Sequence, residues 1–419
     1  MNRASGADVG GKNMTVIKWL TFMMFMMFAM TTDSVGVIIP QVIKEFRLSM
    51  TAAGAFHYVT MSAIAVAGIS LGFIADKFGR KKAIMLGLVL FALNSYLFAV
   101  GNSFAFFLCL LVVSGTAIGI FKTGALALIG DISTSTTEHT STMNAVEGFF
   151  GVGAIIGPFI VAYLLRAGIS WKWLYVIAAT ICVLLIFMAM AVKYPQAMRA
   201  TDEPVGLKRT LGMMKDPYAL SFSFGIFLYV AVECAIYVWM PTLLTGYHGS
   251  AVKIATYALS IFFVLRAGGR FLGVWMMAHF NWAAVLALFS LAILACFAGS
   301  VLMGIDAAVF LLPVSGLFMS VIYPTINSKG ISCFPKTQHG AVAGLILFFT
   351  CGAAALGPLA MGAVSDHFGQ PKYGFVLATV FAGLLCAGSV LNWIFNPARE
   401  LLGRLNQSEY EATGKDALA

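Results

Sequence analysis

Long apolar runs separated by short polar breaks dominate the chain. Twelve can be marked, at about 16–40, 52–75, 81–100, 104–130, 142–165, 172–192, 218–244, 252–278, 282–303, 307–332, 340–364 and 373–396. A helix rises 1.5 Å per residue, so roughly 20 apolar residues cross a hydrocarbon core about 30 Å thick. Within that core every backbone N–H and C=O must be paired inside its own segment, and a helix does this. The pattern therefore predicts an all-α integral membrane protein with twelve transmembrane helices. No small-residue cleavage site follows the Met-rich first run, so that run is expected to be a retained helix rather than a signal peptide.

Composition sharpens this picture. Of 419 residues, 60% are hydrophobic and only 10% charged, and the mean hydropathy is +0.91. An ordinary soluble domain carries about 25% charged residues, so a soluble globule is excluded, and so apolar a chain cannot stay solvated as a disordered one. The net charge of +9 raises the question of nucleic acid, and the positions of the 26 Lys and Arg answer it. With the N-terminus inside, six fall on the outer side (Lys44, Arg47, Arg166, Lys172, Lys253, Lys372), three fall within spans (Lys122, Arg266, Arg270), and the remaining 17 fall on the cytoplasmic side. Cytoplasmic loops hold the positive excess. Both termini are predicted to be cytoplasmic, in a multi-pass protein of the bacterial inner membrane, and no nucleic-acid partner is needed. The seven Cys are scattered with no Cys-x-x-Cys pair, which reads as small core residues, with no metal or cofactor expected.

Sliding the sequence against itself by 200 positions superposes Gly157-Pro158 on Gly357-Pro358, Lys172 on Lys372, Val176 on Val376, Gly130 on Gly330 and His139 on His339. Six spans separate the copies, an even number, so the halves share one orientation and are expected to be related by an axis along the membrane normal. The expected organisation is an N-terminal six-helix bundle over 1–192, a cytoplasmic linker over 193–216, a C-terminal bundle over 217–397 and a cytoplasmic tail over 398–419. Two such bundles suit alternating access, in which rocking of one half on the other exposes a midplane cavity to each side in turn.

Between the second and third runs lies Gly72-Phe73-Ile74-Ala75-Asp76-Lys77-Phe78-Gly79-Arg80-Lys81-Lys82. Gly72 removes a side chain where another helix must approach closely, and Gly79 permits a tight reversal. Asp76 can meet Arg80 and the positive end of a neighbouring helix. Gly72, Asp76, Gly79 and Arg80 thus form a candidate conformational latch, while Lys81 and Lys82 read as topogenic charges. Gly-x-x-x-Asp-[Arg/Lys]-x-Gly-Arg-[Lys/Arg] at this place resembles the signature of the major facilitator superfamily. A narrower resemblance, to its fucose–galactose–glucose:proton symporter branch, is carried by five short stretches. They are Ile39-Pro40-Gln41 closing the first run, Gly151 to Pro158 in the fifth, Tyr229 to Glu233 in the seventh, Gly269 to Gly273 in the eighth, and Tyr323-Pro324-Thr325 in the tenth. The resemblance implies a 6+6 fold and proton-coupled sugar uptake.

An ionisable group at the centre of a span costs at least about 2.5–3.5 kcal/mol, so each needs a partner or a task. Six stand inside: Asp33, Lys122, Glu147, Glu233, Arg266 and Arg270. By depth, Lys122 is expected to meet Glu147, and Glu233 to meet Arg266. In the symporter branch, acids in the first and fourth helices serve proton coupling and sugar contact. Here the first-helix position falls at Gly36, with Asp33 the nearest acid, and the fourth-helix position is Lys122. A base in place of an acid raises the prospect of an anionic solute such as a sugar acid. A carboxyl beside a Lys stays ionised, which leaves Asp33 and Glu233 as proton carriers, Asp33 being preferred because no base is obvious near it.

Polar and aromatic side chains suited to a hydroxylated solute accompany these charges: Asn144, Tyr229, Tyr237, Trp239, Trp275, Tyr323 and Asn327. Sugar rings stack on aromatics and hydrogen-bond at their edges. His57, His139 and His339 lie near loop ends, where solvated or capping roles are expected. After Gly157-Pro158 the chain lacks the glycine pair that resembling antiporters carry, which favours uptake; 35 Phe and 22 Met keep a pliable drug-exporting cavity as an alternative. No nucleophile–base or metal constellation points to an enzyme. The expectation is a monomeric secondary transporter in the lipid bilayer with a small-molecule solute and protons as its partners: uptake of a sugar or sugar derivative, or carriage of an organic anion, or drug/proton antiport.

Overall fold

The computed structural model describes residues 3–71, 78–132, 136–194, 212–334 and 339–406, and no strand occurs among them. Twelve helical spans among the described residues are long and apolar enough to cross a membrane. They are α1 (Asn13–Phe46), α2 (Met50–Gly68), α3 (Arg80–Ala99), α4 (Phe104–Leu126), α5 (Ala145–Arg166), α6 (Trp173–Ala191), α7 (Pro217–Leu244), α8 (Val252–Met277), α9 (Trp282–Met303), α10 (Ile305–Ser332), α11 (Val342–Phe368) and α12 (Lys372–Phe395). A short helix, α13 (Arg399–Asn406), follows. The chain forms two compact units, residues 1–200 and 201–419. Most of the expected linker, residues 195–211, lies outside the described residues, as do Gly72 and Asp76 of the candidate latch.

The internal repeat has a counterpart in packing. In the first unit α1 packs on α5 and α6, α4 on α2 and α3, and α3 on α6. In the second unit α7 packs on α11 and α12, α10 on α8 and α9, and α9 on α12. Each pair of the first unit thus recurs six helices later.

Helices in lipid associate by close van der Waals packing, which small residues permit. Gly153 and Gly157, one turn apart on α5, lie where an added Cβ would collide with the carbonyl oxygens of Met26 and Met30 on α1. Gly269 on α8 meets the Leu317 carbonyl of α10 in the same way, and Gly357 on α11 stands against Ala231 of α7. Of the glycines in the branch stretches, Gly153, Gly157 and Gly269 are therefore also places where a neighbouring backbone comes close. Phe28 of α1 meets Phe91 of α3 and Phe121 of α4 at ring separations of 4.8 and 4.6 Å.

One expectation about a boundary and two about side chains need correction. The first helix does not close at Ile39-Pro40-Gln41; a helix runs over Val35–Phe46 with Pro40 inside it. Proline removes one backbone donor, a loss that a membrane helix held by neighbours tolerates, and the stop comes instead at Arg47 in the left-handed conformation. The extension brings Glu45 to 3.6 Å from Lys172, whose Nζ also donates to the Gly101 carbonyl at 2.9 Å. Lys81 is not merely a topogenic charge, since its Nζ donates to the carbonyls of Met190 and Val192 at 3.2 and 2.8 Å. It closes the C-terminal end of α6, where a cation is favoured by exposed carbonyls and the helix dipole. His57 is fully buried in α2 rather than solvated at a loop end.

Candidate functional site

Three of the described spans are interrupted well inside their length. In α1 the helix breaks at Asp33 and Ser34, between Arg3–Thr32 and Val35–Phe46. In α7 a π-turn occupies Ala235–Trp239. In α10 the break falls at Ser320 and Val321, between Ile305–Met319 and Ile322–Ser332. Irregular backbone at membrane depth is tolerated where protein or a cavity covers it, and π-turns often mark functional sites. The chemistry-bearing residues cluster at these interruptions.

Local sequence explains the bends. Thr31 donates to the Phe28 carbonyl, Ser34 to Met30, and Ser320 to Leu317. Such back-bonding competes with the helical ladder and bends it.

In the second unit, Tyr229 and Glu233 lie four residues apart, on one face of α7. The Glu233 carboxylate is within 2.5 Å of the Arg266 guanidinium from α8, with the side chains 8% and 24% exposed. The Tyr229 hydroxyl lies 3.1 Å from Glu233 Oε1 and 2.9 Å from the Met319 carbonyl at the α10 break. Arg270 is also within electrostatic reach of that hydroxyl. Beyond the break, Tyr323 stands 6.3 Å ring to ring from Tyr229 and 3.4 Å from the Thr350 hydroxyl of α11. The expected Glu233–Arg266 pair is thus present, and Tyr229 joins it to the interrupted helix.

Other sequence candidates in this unit divide. The Tyr237 hydroxyl lies 2.8 Å from Cys234 Sγ. Trp239 is buried, with its indole N–H donating to the Pro358 carbonyl at 3.0 Å, so it anchors α7 on α11. Trp275 is 56% exposed and packs beside His279 and Phe280 at its own end of α8. Asn327 is half-buried on α10.

In the first unit, Asp33 sits half-buried at the α1 break and accepts a hydrogen bond from the neighbouring Thr32 hydroxyl at 2.8 Å. The expected Lys122–Glu147 pair does not form. Lys122 Nζ stands over the Phe150 ring at 5.2 Å, and neither residue has an ion-pair partner among the described residues. Glu147 is exposed, one turn before Phe150, so the cation meets the face of an aromatic ring in place of the carboxylate. Asn144 lies on the same helix, with its side chain outside the described residues, as are those of His139 and His339. Of the latch residues, Gly79 has φ +92° and begins α3, and Arg80 is buried beside it. All seven Cys are free thiols, five of them buried, and no group of metal-binding side chains occurs among the described residues.

The Met319 carbonyl, Thr350, Ser34 and Phe150 were not among the sequence candidates. A backbone carbonyl leaves no mark in a sequence. The run Thr31-Thr32-Asp33-Ser34 does carry a signal, because consecutive hydroxyl side chains beside an acid inside an apolar span favour a broken helix.

Comparison with known proteins decides the family. The profile of the Major Facilitator Superfamily matches residues 20–358. The chain belongs to the Major Facilitator Superfamily. Its curated relatives include the L-fucose-proton symporter of Escherichia coli (strain K12), 25% identical over 426 residues, covering 91% of this chain and 94% of that one. They also include the quinolone resistance protein NorA of Staphylococcus aureus (strain MRSA252), 24% identical over 379 residues, covering 84% and 91%. Among solved structures, the nucleoside transporter NupG superposes with a TM-score of 0.74 at 13% identity, covering 90% of this chain and 99% of that one. As a member of this superfamily the chain is a transporter, a multi-pass protein of the bacterial inner membrane with the superfamily's fold.

Proposed function

We propose that this chain is a proton-coupled secondary transporter that takes up a sugar or sugar derivative by alternating access of its two units, with both termini cytoplasmic. The reading rests on one observation: the Tyr229 hydroxyl has one proton and two acceptors. With Glu233 ionised, Tyr229 can donate to the carboxylate, which Arg266 also holds, or to the Met319 carbonyl, so the carbonyl competes with a charged acceptor for the one proton. With Glu233 protonated, the carboxyl donates to Tyr229, Tyr229 donates to Met319, and both bonds are made. Protonation therefore shifts a hydrogen bond from α7 to the break in α10. It also removes the Glu233 charge from beside Arg266 and lets the guanidinium exchange that contact for the oxygens of a solute.

Proton and solute are thereby linked. The arriving proton loosens Arg266, the solute occupies it, and return of the ionised pair expels both. The sequence favoured Asp33 as the proton carrier; the hydrogen-bond geometry favours Glu233, with Asp33 as a second titrating acid at the equivalent interruption of α1. Resemblance to a fucose-proton symporter along most of the chain supports the sugar class.

A second reading, an organic anion such as a sugar acid, is favoured by Lys122. A midspan cation whose only described contact is an aromatic face retains an unmet demand for negative charge, which a carboxylate on the solute would supply. The deciding experiment is counterflow in proteoliposomes against neutral sugars, sugar acids and lipophilic cations, with and without a pH gradient. Gradient-driven accumulation of a neutral sugar supports the first reading, and of a sugar acid alone the second. Exchange restricted to lipophilic cations overturns both.

A further inference from the structure

One end of the second unit holds a cavity of about 540 Å³ that neither the proton pair nor the solute candidates use. It is formed where α9 begins and where α10 and α12 end, with Asn281, Trp282, Lys329, Ser332, Asn396 and Arg399 in its wall. Lys329 Nζ stands 5.8 Å from the centre of the Trp282 ring, which holds the ammonium at the cavity. Arg399 opens α13, which packs against the last part of α10. No carboxylate is among the lining residues.

Three further features add positive character or donors. The wall includes the N-terminus of α9, a 22-residue helix whose Ala283 N–H is capped by the Asn281 side chain and whose dipole favours an anion. Ser332 supplies a hydroxyl. The amide of Asn396 has a buried terminal atom, Oδ1, with no hydrogen-bond partner, and a half-turn of that amide would present its N–H₂ group instead. Two cations, a hydroxyl, an amide and a helix N-terminus around one space, without an acid, make a receptor for a phosphate group.

The surroundings say which phosphate. Span ends mark the boundary of the hydrocarbon, the depth at which lipid phosphates lie. In the last turn of α12, immediately before Asn396, Trp393, Ile394 and Phe395 are 52%, 63% and 73% exposed, an apolar strip suited to acyl chains. In α13, Leu401 and Leu402 stand between Arg399 and Arg404, the composition of a helix lying in an interface. We propose that this cavity binds the headgroup phosphate of an anionic phospholipid from the leaflet on that side of the membrane. Basic pockets between span ends are where anionic headgroups bind, and a bound lipid would tie α13 to the ends of α9, α10 and α12.

The test uses the purified full-length protein in detergent, with dioleoylphosphatidylglycerol, dioleoylphosphatidylcholine and sodium phosphate as separate probes, read by native mass spectrometry and thermal melting. Phosphatidylglycerol is expected to remain bound and raise the melting temperature, phosphatidylcholine to do so weakly, and sodium phosphate to need a concentration at least about 100-fold higher. The double variant Lys329→Gln, Arg399→Gln is expected to lose at least about tenfold in apparent affinity for phosphatidylglycerol, while Lys329→Arg, Arg399→Lys keeps it. Equal retention by the Gln variant and the unaltered protein would overturn the site. Protection by sodium phosphate at the concentration effective for phosphatidylglycerol would overturn the lipid as its ligand. The charge-retaining variant separates loss of binding from loss of folding, because it alters both side chains and keeps both charges.

Discussion

Replacing Glu233 separates its proton from its structural role. Removing one partner of a buried ion pair costs about 3–5 kcal/mol, because the other charge stays buried alone. Arg266 is 24% exposed, so Glu233→Ala is expected at the low end, about 3 kcal/mol. Glu233→Gln leaves an amide oxygen for Arg266, and a hydrogen bond to a charged group recovers about 1.5–3 kcal/mol, for a net loss of about 1 kcal/mol. At about 2 °C per kcal/mol for a chain of this size, the melting temperature should fall about 6 °C for Ala and about 2 °C for Gln. Transport should divide differently. Gln imitates the protonated acid permanently, so proteoliposomes carrying Glu233→Gln should still exchange solute in counterflow but fail to accumulate it against a gradient when the outside is acidified. Gradient-driven accumulation at the unaltered level in Glu233→Gln would refute the assignment, and loss of both activities with an unchanged melting temperature would refute the separation of roles.

Other consequences can be checked alongside. A methyl group at Gly157 meets the α1 backbone, whereas one at Gly151 meets nothing within 4 Å. Gly157→Ala should therefore lose about 1–3 kcal/mol while Gly151→Ala is neutral or slightly stabilising, as thermal melting would show; equal effects would contradict the close α1–α5 contact. Lys122→Gln should abolish counterflow of sugar acids and spare neutral sugars, and parallel loss of the two would remove Lys122 from solute recognition. Burial pushes the Cys333 thiol up to about 11, with Asp216 adding to the rise and Lys329 opposing it. Thiolate is the reactive form, so maleimide labelling of Cys333, with the other Cys replaced by Ser, should be slow at pH 7.5 and rise roughly tenfold per pH unit up to about pH 10. A flat profile would contradict this.

The sequence was most legible where one strong force acts. Twelve apolar runs name twelve spans because hydrocarbon admits little else, and Gly157 and Gly357 mark the repeat because each permits the same close approach in its own unit. The Glu233–Arg266 pair could be read because burying either charge alone is expensive. What failed depended on side-chain geometry around the helix axis: Lys122 and Glu147 match in depth, but Phe150 takes the ammonium. Pro40 misled because a missing N–H ends a helix in water more readily than among packed neighbours. The link from Tyr229 to the Met319 carbonyl was invisible, since it depends on a backbone carbonyl, which leaves no mark in a sequence.

The central claim is that solute and proton move together through the Glu233 cluster. It is tested most directly by a pH electrode in a lightly buffered suspension of proteoliposomes when the counterflow-active solute is added outside. The account predicts alkalinisation of the medium as protons enter with solute, abolished in Glu233→Gln. Acidification, or no change of pH during measurable solute entry, would contradict it.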